Sequence, residues 1–303
     1  MTSARAPGRP IETALLGPVS LDRYKAEGLD LPGGGALNVA WHWSRAGLPF
    51  RLLTRIGDDR PDLFLGFLDR HGIGYAADSI VGAGPSASID ITTREDRQPW
   101  MDNFAPGVWA DFRLTASEEA WLSGAGRLHA VLVDPVVREV HRLGDSGRLS
   151  GLESSGDFLD FRHYDGSRFR ETMGRLDVGF VGWPGGPGDA AVSEIRRVAF
   201  DLGRLVVVTM GSRGVLALDG ASGRESWSPV EAVPVAGTTV GCGDAFIAAF
   251  LASRRGGAGL AESIGAGKAA GARATAWLRP LPDEAYGGVG AYGDVRAHGA
   301  HGA

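Results

Sequence analysis

Only one cysteine, Cys242, occurs in 303 residues, so the chain can form no internal disulfide. Neither a cysteine cluster nor an H-E-x-x-H pair is present to hold zinc. No run approaches the roughly 18 consecutive apolar residues of a membrane-spanning helix, and the first residues lack the apolar stretch of a secretory signal; a cytoplasmic protein with no membrane partner is expected. Lysine is scarce, and nowhere do basic residues and aromatics interleave in a stripe. With a formal net charge of −5, this argues against a nucleic-acid partner. The phosphate loop G-x-x-x-x-G-K-[ST] and the hydrolase elbow G-x-S-x-G are also missing.

What is present fits one large α/β domain, since 44% apolar and 22% charged residues allow a substantial core. Residues 11–19 read as a first strand, closely followed by Asp22, and 50–56 as another. Residues 61–72 read as a helix opened by Pro61. Further on, 128–133, 157–161, 177–183 and 205–209 are apolar runs separated by helix-length polar stretches. Strands of that kind pack into a parallel sheet covered on both faces, and ligands gather at their carboxyl ends.

Two glycine turns open onto helices. In Leu31-Pro32-Gly33-Gly34-Gly35-Ala36-Leu37-Asn38-Val39-Ala40 the glycines precede a helical pattern that closes at Gly47, which lets a polar ligand touch backbone. A flexible linker before an amphipathic helix has the same composition. The second turn, Thr238-Thr239-Val240-Gly241-Cys242-Gly243-Asp244-Ala245-Phe246, runs into an apolar segment. A helix N-terminus there favours an anion, and Asp244 in its first turn lies within reach of whatever the anion reacts with. A carboxylate beside an anion hole suggests phosphoryl transfer, although Gly-x-Gly-Asp also serves as ordinary loop punctuation.

In their order along the chain these stretches resemble the ribokinase-like (PfkB) carbohydrate kinases. Gly33, Gly34, Asn38 and Ala40 match that family's G-G-x-x-x-N-x-A, and 238–244 its D-T-x-G-A-G-D. Gly57-Asp58-Asp59 between a strand and a helix agrees too, and Val208, Thr209, Gly211 and Gly214 are similar to V-T-x-G-x-x-G. The resemblance implies a three-layer sandwich with a central, mostly parallel sheet and a small β lid. It would form one domain over 11–285, with lid segments near 22–31 and 86–100 and flexible termini at 1–10 and 286–303. It implies ATP and Mg2+, with no protein metal ligand assigned, and a sugar held by Asp22, Gly33, Gly34 and Asn38. Nucleotide phosphates would lie on Thr209, Gly211, Gly214, Gly241 and Gly243. The amides of Gly241, Cys242 and Gly243 would form the anion hole, with Asp244 as catalytic base.

Gly107, Val108, Ala110, Asp111 and Phe112 narrow the resemblance to fructoselysine 6-kinases, whose segment reads G-D-Y-x-x-G-V-x-A-D-F. That implies a ketose-like or fructosamine substrate phosphorylated on a primary hydroxyl. Asp102, Asn103 and Phe104 replace the front of the motif, leaving Asn103 as the substrate candidate there; by composition alone this is a loop. Two further departures are Thr238 in place of the family's Asp, and the lack of an N-x-x-E motif after Trp183, where Glu194 is the nearest substitute. A nucleoside kinase of the same fold and a non-catalytic sugar-binding regulator are the competing readings. Ile89 and Ile91 alternate with Asp90 and Thr92, giving the lid one apolar face. A homodimer with mutually covering lids is expected, and closure of that face over the sugar in a monomer is the alternative.

Overall fold

In the computed structural model, residues 12–94 and 97–287 are described; the termini expected to be flexible, apart from Tyr286, lie outside them. The chain begins β1 (Thr13–Leu16), β2 (Ser20–Tyr24), β3 (Leu29–Gly33), α1 (Gly35–Arg45), β4 (Phe50–Leu53), β5 (Ile56–Gly57) and α2 (Pro61–Arg70). It continues β6 (Val81–Gly82), β7 (Ser88–Thr93), β8 (Pro99–Ala105), α3 (Ala116–Gly124), β9 (Arg127–Val131), α4 (Asp134–Asp145) and β10 (Glu153–Asp160). Then follow α5 (Gly166–Met173), β11 (Val178–Gly182), α6 (Ala190–Leu202), β12 (Leu205–Thr209), β13 (Val215–Asp219), β14 (Arg224–Ser228), α7 (Cys242–Arg255) and α8 (Leu260–Ala274).

Among the described residues the main sheet has eight strands in the order β14-β13-β12-β11-β10-β9-β1-β4. Strands β4, β1 and β9 to β12 are parallel, and β13 and β14 extend the sheet antiparallel. Val206, Val207 and Val208 of β12 are all fully buried, as a strand covered on both faces requires. Strand alternation sorts the two outer layers. Ala14 and Leu16 join Val206 and Val208 in a core shared with α3 to α6, while Leu15 and Leu52 pack with α1, α2 and α7. This is the three-layer α/β sandwich that the resemblance implied.

The lid is a separate four-stranded sheet, ordered β3-β2-β7-β8, and it is larger than expected. The first strand stops at Leu16 because Gly17 and Pro18 interrupt the ladder, and the lid already begins at Ser20. At its other end 99–105, read as a loop, is strand β8, paired antiparallel with β7. The Ile89/Ile91 face, expected to meet a partner, turns inward instead. Ile91 is buried with Tyr24, Leu29 and Leu31, and Ile89 packs against them. What stays open is the β8 edge, where Trp100 is 50% and Phe104 52% exposed.

Residues 107–112 root the lid in the domain. Trp109 is fully buried, stacks on Phe112 with ring centroids 4.2 Å apart, and donates its indole N–H to the Arg55 carbonyl. Arg55 forks onto Glu118 at 2.7 and 2.6 Å. Beside it Asp59 accepts both the N–H and the hydroxyl of Ser86, so the Gly-Asp-Asp turn also anchors the lid. At the far end Tyr286 is buried and belongs to the domain rather than to a tail. Among the described residues no helix is long and apolar enough to cross a membrane.

Candidate active site

Two helix N-termini converge at the carboxyl edge of the sheet, that of α1 at Gly34 and that of α7 at Gly241. The helices are held together by the Trp43 indole N–H, which donates to the Ala248 carbonyl at 3.1 Å. Between their tips lies Gly35, where a Cβ would sit 3.2 Å from Val131 of β9 and 3.3 Å from Asp244 Oδ1. The two glycine signatures, about 200 residues apart in the chain, therefore build one site.

On the α7 side the turn depends on Gly241. Its φ is 78°, and a Cβ there would fall 2.7 Å from Pro280 Cα, so no other residue fits under the 277–280 segment. Thr238, standing where the resembled signature has Asp, is buried; its N–H donates to Trp277 and its hydroxyl accepts the Val240 N–H at 3.3 Å. The amide of Cys242 is already engaged, donating to the Thr239 carbonyl at 3.3 Å. The anion hole therefore shifts by one residue, to Gly243 and Asp244, whose amides have no acceptor within the helix. Nothing would meet a Cβ at Gly243 within 4 Å, so that side is open to a ligand. Burial and the neighbouring Asp244 push the Cys242 thiol up to about 12, leaving it neutral and unreactive at physiological pH.

On the α1 side Asp22 is 4% exposed and accepts the Ser20 hydroxyl at 2.7 Å and the Gly34 N–H. A Cβ on Gly33 would stand 2.0 Å from Asp22 Oδ2, so glycine is what lets the lid strand pass this carboxylate. Asn38, expected to donate to sugar hydroxyls, donates instead to Asp244 Oδ2 at 2.7 Å. Its Oδ1 is buried without a partner among the described residues; an unpaired acceptor in a polar pocket fits a ligand hydroxyl.

Burial lifts Asp22 to about 7. Asp244 also reaches about 7, first through burial, then through the charge of Asp157, against the pull of the Asn38 hydrogen bond. Asp157, lifted by burial to about 6, is a member of this group that sequence reasoning missed. The strand had been read as starting at Asp157, whereas β10 starts at Glu153, which carries Asp157 toward the ligand-binding end. A lone aspartate inside an apolar run was the available signal.

Other expected residues lie apart from this group. Thr209 ends β12 and donates weakly to the Val181 carbonyl at 3.4 Å, and Gly211 in the next turn has open space beside it. A Cβ on Gly214 would meet the Trp227 ring at 2.6 Å, so this glycine serves the packing of β13 on β14. Asn103 donates to Asp90 Oδ2 at 2.8 Å. Asp90 pairs in register with Arg23, one residue along from Asp22 and so on the other side of the lid sheet. Glu194 pairs with Arg197 and abuts Gly166 of α5, facing its neighbouring helix rather than the anion loop.

The signature of the pfkB family carbohydrate kinases matches residues 182–276. The chain is 29% identical over 262 residues to the fructoselysine 6-kinase of Escherichia coli (strain K12), covering 86% of this chain and 95% of that one. Its counterpart in Shigella flexneri is 28% identical over the same length. Among solved structures, a ribokinase from Thermotoga maritima superposes with a TM-score of 0.67 at 19% identity, over 91% of this chain and 98% of that one. An adenosine kinase from Sinorhizobium meliloti gives 0.71 at 19% identity, over 90% and 96%. Both share the fold. With the paired glycine turns and Asp244 at the helix tip, these likenesses identify the chain as a member of the pfkB family of carbohydrate kinases, an ATP-dependent kinase on a ribokinase fold.

Proposed function

We propose that this kinase phosphorylates a primary hydroxyl of a ketose or fructosamine-like sugar derivative, with Asp244 as general base. The observation that carries the reading is the position of Asp244: on the first turn of α7, across Gly35 from the α1 glycines, with a carboxyl lifted to about 7. A base poised near the working pH is the most effective one. Asp22 and the unpaired Oδ1 of Asn38 would hold the sugar hydroxyls, with Gly33 and Gly34 lining the approach. The γ-phosphate of ATP would rest on the amides of Gly243 and Asp244 at the positive end of α7, the remaining phosphates reaching toward Thr209 and Gly211. Asp244 takes the hydroxyl proton as that oxygen bonds to the γ-phosphorus and the bond to the bridging oxygen breaks. Mg2+ would neutralise the phosphates. It suits a site with few protein oxygens, because Mg2+ keeps several waters and binds largely through phosphate.

The sugar-derivative class follows from the likeness to the two fructoselysine 6-kinases over most of the chain. The segment 107–112 adds little to it, since its retained residues pack the lid root. A nucleoside is the second reading, favoured by the shared fold with adenosine kinase. A panel of fructosamines, fructose, ribose and adenosine, read by ADP release, decides between them, and preference for adenosine overturns the first reading. We also infer a cytoplasmic homodimer joined through the open β8 edge, whose exposed Trp100 and Phe104 a second copy would cover.

A further inference from the structure

One carboxylate at the site has no part in the reaction just described. Asp157 is 6% exposed and lies opposite Val131 of β9 in the parallel ladder. Val131 flanks Gly35, whose other neighbour is Asp244 Oδ1, so the two carboxylates stand on either side of one Val–Gly step. The backbone of β10 is irregular at this point. Its register with β11 shifts between Asp157 and Asp160, and Leu159 adopts φ 55°, a left-handed conformation that a branched residue holds only at a cost. The irregularity turns the Leu159 N–H back onto Asp157 Oδ1 at 2.9 Å, which fixes the carboxylate. Such bulges beside active sites re-aim a side chain.

We propose that Asp157 is a positioning residue for phosphoryl transfer: the β10 irregularity holds its negative charge beside Asp244, and that charge keeps Asp244 basic enough to take a hydroxyl proton near neutral pH. This rests on the reading of Asp244 as the base. After burial, the charge of Asp157 is the largest influence lifting Asp244; Asp22 adds less, Asn38 opposes, and Cys242 beside it is neutral. Around Asp157 itself stand the Leu159 N–H and Tyr164, whose hydroxyl donates to the Leu132 carbonyl and stays protonated. Behind Tyr164, Asp134 and Arg168 pair with each other.

Asp157→Asn tests this directly, because asparagine still offers an oxygen to the Leu159 N–H and changes only the charge. The expected result is an acid limb of the kcat/KM profile displaced to lower pH by about one unit, the usual scale for losing a neighbouring like charge, with a reduced plateau from the weaker base. A rate loss with the limb unmoved overturns the proposal, as does a raised Mg2+ requirement with the limb unmoved, which would make Asp157 a support for the metal. The same question can be asked of the wild-type protein by 13C-carboxyl NMR, with Asp244 assigned through Asp244→Asn. Asp244 should titrate in two steps that persist in Asp22→Asn, and a single step refutes the coupling. If Asp244→Asn turns over normally, the base reading itself fails, whatever Asp157→Asn does.

Discussion

Asn38→Ala should move the ionisation of Asp244 in the direction opposite to Asp157→Asn. Its amide is the side-chain donor on Asp244 Oδ2, at 2.7 Å, and it pulls the carboxyl down from where burial would put it. A hydrogen bond to a charged group contributes about 1.5–3 kcal/mol, and one pKa unit corresponds to about 1.36 kcal/mol. Losing the donor should therefore raise Asp244 from about 7 by about one to two units. At pH 7 the ionised fraction then falls from about half to between about a tenth and a hundredth, and kcat/KM drops ~5- to 50-fold. The assay is kcat/KM against pH at saturating MgATP. Lost sugar contacts from Asn38 lower the whole curve, whereas the lost donor displaces its acid limb to higher pH, with partial recovery of rate in alkali. An acid limb that coincides with that of the wild type refutes the account of Asn38.

Three further outcomes are expected. Asp22, Asp157 and Asp244 all titrate above their usual 3.8 in the folded protein, so the ligand-free native state binds more protons than the unfolded chain between about pH 4 and 7. Their contribution to stability is therefore present at acid pH and lost as pH rises through 6 to 7. Asp244→Asn should raise Tm at pH 8 by several degrees, at about 2–4 °C per kcal/mol, and change it little near pH 5; calorimetry showing no gain at pH 8 contradicts the burial argument. Gly33→Ala places a Cβ 2.0 Å from Asp22 Oδ2 and should raise the sugar KM by ~10-fold or more while leaving ATP binding near normal, at about 1–3 kcal/mol of stability from overpacking. An unchanged sugar KM removes Asp22 from the substrate site. Light scattering should give a dimer that Trp100→Asp with Phe104→Asp converts to monomers, and a wild-type mass of one chain at micromolar concentration refutes it.

The layered fold and the two glycine signatures were legible because their signals are local: continuous apolar runs such as Val206-Val207-Val208, and glycines ahead of a helical period. What was not legible depended on tertiary placement. The boundary of β10 hid Asp157, since an aspartate that seems to open a strand looks like a turn residue. Alternation gave Ile89 and Ile91 an apolar face correctly, but not which side of the lid the domain would occupy; Tyr24, Leu29 and Leu31 claim that face from within the chain. The polar sequence of β8 has the composition of a loop and becomes a strand only because β7 offers it an edge. At the site, Asn38 and Asp244 were each named, yet their mutual hydrogen bond joins positions 206 residues apart and follows from the packing of α1 on α7.

The central claim, that Asp244 at the tip of α7 is the base of a sugar kinase, is tested most directly by single-turnover phosphorylation of the best substrate from the panel by Asp244→Asn. MgATP affinity is measured on the same protein by titration calorimetry. The predicted result is turnover reduced at least ~100-fold, the usual scale for loss of a general base, with ATP affinity close to that of the wild type. Turnover equal to that of the wild type would contradict the account.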